Sequence, residues 1–180
     1  MKFTPWKTLS SKVLIKYRKW DYTEDLVELP NGTQTTFQYI KSPGSVTVIP
    51  IDKDGNLIVV HEYRYLLGDQ SLEFPAGMID EGMTPLETAH KEFAEEVGMK
   101  AEQMDYIGKG LIATASVKGY GHVFIARGLG TARLALEDTE QIEVSTMSPK
   151  AFDEAVANGQ VVASHILMAW ALARSKILAN

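Results

Sequence analysis

Leu86, Ala89, Phe93 and Val97 recur at spacings of three and four residues, between a capping signal and a glycine. That period predicts an amphipathic helix with one apolar stripe packed on a core. Thr84 stands where the N-cap belongs, Pro85 at the first helical position and Glu87 at the third, so a capping box opens the helix. Gly98 follows the last periodic residue, where a left-handed C-terminal cap is common. Elsewhere the period changes to two. Val13 to Tyr22 alternates well enough for a strand. Asp25 to Leu29 and Thr35 to Ile40 flank Pro30-Asn31-Gly32 and read as a hairpin. Val46 to Ile51 and Leu57 to Tyr63 read as strands joined through Asp54-Gly55. Leu72 to Gly77 is a strand running into a turn, and Gly121 to Ala126 and Ile142 to Thr146 are further strands. Pro149 to Ala157 reads as a helix capped by Ser148. Ala163 to Leu178 is a longer helix with apolar Ile166, Leu167, Trp170, Leu172 and Ile177.

Helices and strands interleave, so the fold class is α/β or α+β. Pro43-Gly44 marks a boundary, dividing the chain into an N-terminal β region, 1–43, and a main domain, 44–180. The N-terminal strands are short and would be marginal alone, so they are expected to pack on the main domain or on a second subunit. A chain of 180 residues suits one domain with a good core, alone or with a small appendage. A formal net charge of −5 argues against a nucleic-acid surface, which would want a basic stripe. The absence of cysteine excludes disulfides, thiolate nucleophiles and Cys-ligated zinc. No leader peptide and no membrane-length apolar run are visible, so the expectation is a cytoplasmic protein without a membrane partner.

The chemistry concentrates in one helix. Glu92, Glu95 and Glu96 lie three and four residues apart and crowd one side of it. Like charges so placed repel, and a hard divalent cation that prefers oxygen ligands is a reason to keep them together. Mg²⁺ keeps several waters and takes phosphate oxygens, so this face reads as a platform for a phosphate-containing substrate. The glutamates flank the apolar stripe and are expected at the rim of the core, half sheltered. Upstream, Gly77 and Gly82 relax the backbone, and the carbonyl of Ala76 could approach the same metal.

The segment from Gly77 to Met99 resembles the Nudix box. Gly77, Glu92, Phe93, Glu95, Glu96, Gly98 and Met99 fall at the spacing of that pattern. Met83 stands where its first glutamate is expected and Lys91 where its arginine is expected. Losing both positions together is what loss of a structural ion pair would look like, and it would leave no charge unpaired. A working but variant site is expected, with a module that binds without cleaving as the alternative. The resemblance extends to the ADP-ribose and nucleoside diphosphate sugar pyrophosphatase branch through Tyr63-Arg64, Gln70 to Gly77, Tyr106-Ile107-Gly108 and His122 to Arg127. A proline carried by strict ADP-ribose enzymes after the box is replaced by Ala113-Thr114-Ala115-Ser116, which leaves broader nucleoside diphosphate sugars open.

This resemblance implies a Nudix α/β/α sandwich with a mixed sheet, plus a small N-terminal antiparallel sheet that serves dimerisation and substrate contacts. It implies hydrolysis of a nucleotide-sugar pyrophosphate bond with Mg²⁺, Mn²⁺ being the alternative ion, in a homodimer. Glu92 and Glu96 are the first metal ligands expected, Glu95 a third, and the Ala76 carbonyl is carried over from the position before the box glycine. Glu140, in the acidic run Leu136 to Glu143, is the expected general base, with Glu137 and Glu143 behind it. Arg64 is the expected diphosphate contact because a guanidinium forks phosphate oxygens well. Glu73 is expected to accept a hydrogen bond from base or ribose. Trp6, Trp20, Tyr22 and Phe37 could stack on a base but read as core, and His61, His90, His122 and His165 show no metal-ligand spacing. A pyrophosphatase for dinucleoside polyphosphates is a further alternative.

Overall fold

A computed structural model describes residues 3–132 and 141–179. The chain divides into two compact units, one of residues 1–43 with 111–120, the other of 44–110 with 121–180.

In the first unit, β1 (Lys7–Tyr17), β2 (Trp20–Glu28) and β3 (Gln34–Lys41) form an antiparallel meander. The hairpin around Pro30-Asn31-Gly32 forms where the turn residues ask for it, with Gly32 at φ 82°. The single strand expected from Val13 to Tyr22 is instead the end of β1 and the start of β2. A turn at Arg18 and Lys19 divides them, and Arg18 adopts φ 45°. No glycine, proline or asparagine marks that turn, so alternation ran through it unbroken. The last residues of β3, Ile40 and Lys41, pair in parallel with Val117 and Lys118.

In the second unit, β4 (Ser45–Pro50) is central. It runs antiparallel to β7 (Ala76–Met78) and parallel to the Gly121 to Ala126 stretch of β9 (Val117–Thr131), so the sheet is mixed. β8 (Met99–Ala113) pairs with β9. A second, antiparallel sheet is built from β10 (Ile142–Met147), β5 (Leu57–Arg64) and β6 (Asp69–Glu73). β4 and β5 follow each other through a loop in which Asp52 Oδ1 accepts the N–H groups of Asp54 and Asn56, yet the two strands enter different sheets. Among the described residues, α1 (Pro85–Val97), α2 (Pro149–Ala157) and α3 (Ser164–Leu178) are the helices of this unit. Among the described residues no helix is long and apolar enough to cross a membrane.

Alternation along β4 and β9 explains the layers. Val46, Val48, Phe124 and Ala126 join Ala89 and Phe93 of α1 in one core. Ile49, Val123 and Ile125 join Phe74, Phe152, Ile166 and Trp170 in another, built on α2, α3 and the second sheet. Each fully buried side chain of this size contributes roughly 1.5–3 kcal/mol of apolar transfer. α3 buries Ile166, Ala169, Trp170, Ala173 and Ile177, whereas Leu167 and Leu172 are exposed. The small Ala169 and Ala173 carry the inner stripe that the larger leucines suggested.

Candidate metal and diphosphate site

α1 is specified as its sequence indicates. The Thr84 hydroxyl accepts from the Glu87 N–H at 3.3 Å, and the Glu87 carboxylate accepts from the Thr84 N–H at 2.8 Å. Gly98 closes the helix at φ 68°. Ala89 and Phe93 fix its inner face, and this sets where the three glutamates go. Glu92 and Glu96 are 8% and 6% exposed, deeper than the half-sheltered rim expected for them. The Glu92 carboxyl group rests against Gly77 so closely that any Cβ at that position would collide with it. Glu96 Oε2 accepts the Ala76 N–H at 3.2 Å. Both carboxylates are thus brought to the start of β7, beside the Ala76–Gly77 backbone. A glycine-shaped cradle holding one buried carboxylate, with a second on the next residue, suits a hard cation by donor chemistry. Glu95 is turned differently: its Oε2 lies 3.1 Å from Lys91 Nζ. Among the described residues no group of three or more His, Asp or Glu side chains converges in metal-holding geometry.

Lys91 occupies the middle of this acidic face. Its ammonium lies 3.1 Å from Asp80, 3.1 Å from Glu95 and 3.5 Å from Glu92. Burial disfavours the charged ammonium, but the bonds to Asp80 and Glu95 outweigh it and raise its pKa. The ion pair expected to have been lost with Met83 and Lys91 is therefore present in another form. Asp80, three residues before Met83, supplies the anion, and Met83 is partly buried without a charge.

Arg64 and Glu73 come together on neighbouring strands. Arg64 Nε and Nη2 donate to Glu73 Oε1 and Oε2 at 2.9 and 2.7 Å, a two-pronged pair. The third nitrogen, Nη1, lies 2.7 Å from Glu62 Oε1. His165, in the first turn of α3, places Nε2 3.2 Å from Glu73 Oε2. Burial pushes the Glu73 carboxyl up, yet hydrogen bonds from His165 and Arg64 overcome that and hold it down at about 2. The Glu73 bond, ahead of the fields of Glu62 and Glu96, raises the Arg64 guanidinium further. Of the α1 carboxylates, Glu96 thus lies within electrostatic reach of Arg64. Glu73 is only 1% exposed, and its oxygens are engaged by Arg64 and His165.

Glu140 and Glu137 lie outside the described residues. Glu143 is exposed on β10, opposite His61 of β5. Both line a cleft of about 340 Å³ with Tyr63, Gln70, Gln141 and Ile142. His61 Nε2 is 3.0 Å from Ser145 Oγ, and His122 is partly buried beside Tyr106, so neither histidine is a ligand in this arrangement. A larger cavity of about 620 Å³, around Lys100 and Arg127, is lined by none of the candidate residues. Sequence reasoning missed Asp80, Glu62 and His165. Glu62 adjoins the Tyr63-Arg64 pair and Asp80 lies inside the box, so both carried a local signal. His165 carried none, standing 92 residues along the chain from Glu73.

Comparison with known proteins gives a consistent picture. A NUDIX domain model matches residues 41–167. The chain is 31% identical over 156 residues to the methanol dehydrogenase activator of Bacillus methanolicus, covering 83% of this chain and 80% of that one. It is 32% identical over 147 residues to the ADP-ribose pyrophosphatase of Bacillus subtilis, covering 80% and 79%. A crystal structure of an ADP compounds hydrolase superposes with a TM-score of 0.85 over 99% of this chain and 97% of that one, at 20% identity.

Proposed function

The chain belongs to the Nudix hydrolase family, and from that premise we propose that it hydrolyses the pyrophosphate bond of nucleoside diphosphate sugars of the ADP-ribose type. The products are a nucleoside monophosphate and a sugar phosphate. The observation that carries this reading is the pair of buried carboxylates, Glu92 and Glu96, held at the Ala76–Gly77 backbone with Arg64 in electrostatic reach of Glu96. Similarity to the ADP-ribose pyrophosphatase of Bacillus subtilis supports the substrate class.

Glu92, Glu96 and the Ala76 carbonyl would hold a divalent cation, Mg²⁺ or Mn²⁺, with Glu95 able to join by leaving Lys91. Bound there, the cation supplies neutralisation of diphosphate charge. Arg64, kept rigid by Glu73, presents its remaining N–H donors to diphosphate oxygens. Glu140 takes the proton of the attacking water. The first unit serves as a dimerisation surface. Its edge strand β1 is exposed along all of its length, including Leu9, Val13, Leu14 and Ile15.

The test is release of monophosphate from ADP-ribose, ADP-glucose, GDP-mannose and UDP-glucose, with Mg²⁺ present or chelated. Wild-type protein is expected to cleave at least the ADP sugars only with metal. Glu92→Gln and Glu96→Gln are each expected to lose about 100-fold or more in kcat, as when a charge-stabilising group is removed. Unchanged turnover in both folded variants would refute the reading. Nucleotide-sugar binding without cleavage by wild type would favour the binding module, for which Lys91 among the carboxylates is the motive.

A further inference from the structure

We infer that His165 is a positioning residue for the diphosphate contact: it clamps Glu73 from α3 and so fixes the Arg64 guanidinium. The inference rests on the hydrolase reading above. Neither the box nor the strand that precedes it contains His165.

Three observations carry it. First, Glu73 is buried, and a buried carboxylate must have its oxygens satisfied. Arg64 takes one lone pair on each oxygen, and His165 Nε2 lies 3.2 Å from Oε2. Second, Glu73 stands on β6 and Arg64 on β5, opposite sides of one hairpin. The hairpin tip between them, Tyr65 to Leu67, is exposed. α3 is a rigid element outside that hairpin, anchored in the core by Ile166 next to His165. His165 is thus the group on this network that ties the hairpin's carboxylate to the helical layer. Third, Glu62 also pulls on the guanidinium through Nη1 at 2.7 Å. Glu73 takes Nε and Nη2 while Glu62 takes Nη1, so both carboxylates orient the guanidinium at once, and the one that binds two of its three nitrogens is the one His165 approaches from α3.

A neutral imidazole with its proton on Nε2 and an imidazolium can each donate to a carboxylate oxygen, so the proposed role asks for a donor, not a charge. A glutamine at this position offers an amide N–H at similar reach, whereas alanine offers nothing. This separates positioning from packing.

Two readouts test it on the full chain. The first is steady-state hydrolysis of ADP-ribose with Mg²⁺. His165→Ala is expected to raise KM about tenfold with kcat within about twofold, the pattern of lost substrate binding, and His165→Gln to restore most of it. The second needs no activity. The Arg64 Nε–H resonance, identified by its loss in Arg64→Lys, is expected to exchange slowly with water in the wild type and in His165→Gln. In His165→Ala it is expected to exchange about tenfold faster or more, because the two-pronged bond opens more often. Unchanged Nε–H exchange in His165→Ala overturns the inference whatever the enzyme's substrate. So does a His165→Gln variant as impaired as alanine in both readouts with the same unfolding temperature as wild type. If wild type cleaves no ADP sugar but the exchange results hold, the hydrolase reading fails and the clamp stands.

Discussion

Glu73 shows how a single buried carboxylate links stability to pH. In the folded chain its proton is held at about 2, below the ordinary 4.5, because His165 and Arg64 outweigh the cost of burial. A depressed carboxylate contributes stability that is present above the unfolded value and lost as pH falls towards the folded one. The window is therefore 4.5 down to about 2. The groups facing Glu73 are Arg64 and, through it, Glu62 on β5, His165 on α3 and Glu96 on α1. Glu73→Gln removes the titration and leaves Arg64 with one carboxylate. Wild type is expected to be the more stable at about pH 6, and its advantage over Glu73→Gln to shrink steadily on acidification to about pH 3. Thermal unfolding of the two proteins across that range checks it, and an advantage that stays constant would sink the account. The sequence marked Glu73 as a candidate, and only three dimensions show that it is buried against Arg64 and His165.

At the scale of the element, α1 and β7 are one device. The helix brings Glu92 and Glu96 to the strand, and the strand answers with Gly77, whose missing side chain makes the room. Gly77→Ala is expected to push the Glu92 carboxyl out of its cradle, at a cost of about 1–3 kcal/mol typical of overpacking. It should also abolish stabilisation of the fold by added Mg²⁺, since metal binding to the native state raises the unfolding temperature. Thermal unfolding with and without Mg²⁺ measures both, and a full metal-dependent shift in Gly77→Ala would remove the cradle from the argument. This element was the most legible part of the sequence, because its signals are local. The capping box, the proline and the left-handed glycine each act within a turn of the helix. The ends of α2 were legible for the same reason, through Ser148. The turn at Arg18 was not, since a residue without turn preference occupies it. Lys91 was misread because its partner, Asp80, is brought in by the loop before the helix and not by helical spacing. His165 was illegible because its contact spans 92 residues, and no periodicity carries such information.

At the scale of the whole molecule, the open question is what covers β1. A strand of 11 residues at the outer edge of the antiparallel β1-β2-β3 meander offers an unpaired row of N–H and C=O groups. Proteins usually blunt such an edge, yet this one also displays apolar side chains on both faces. Val13 lies opposite Thr23 and Ile15 opposite Tyr22, so the two point to opposite sides of the meander, and both are about half exposed. Trp6 stands edge-on to Phe37 at 6.3 Å between ring centres, and both rings are open to solvent. The bulges between Thr8 and Ser10 and between Val13 and Ile15 twist the strand, which disfavours open-ended stacking and favours one closed pairing. If a second copy of the chain covers this edge, as proposed, light scattering at micromolar concentration is expected to give twice the mass of one chain. The double variant Val13→Lys, Ile15→Lys places charge on both faces and is expected to yield monomer. If the dimer binds substrate through this unit, KM should rise in the monomer while the metal response of the second unit stays intact. A wild type that is monomeric at that concentration would overturn the pairing, and a dimeric double variant would move the interface to another surface.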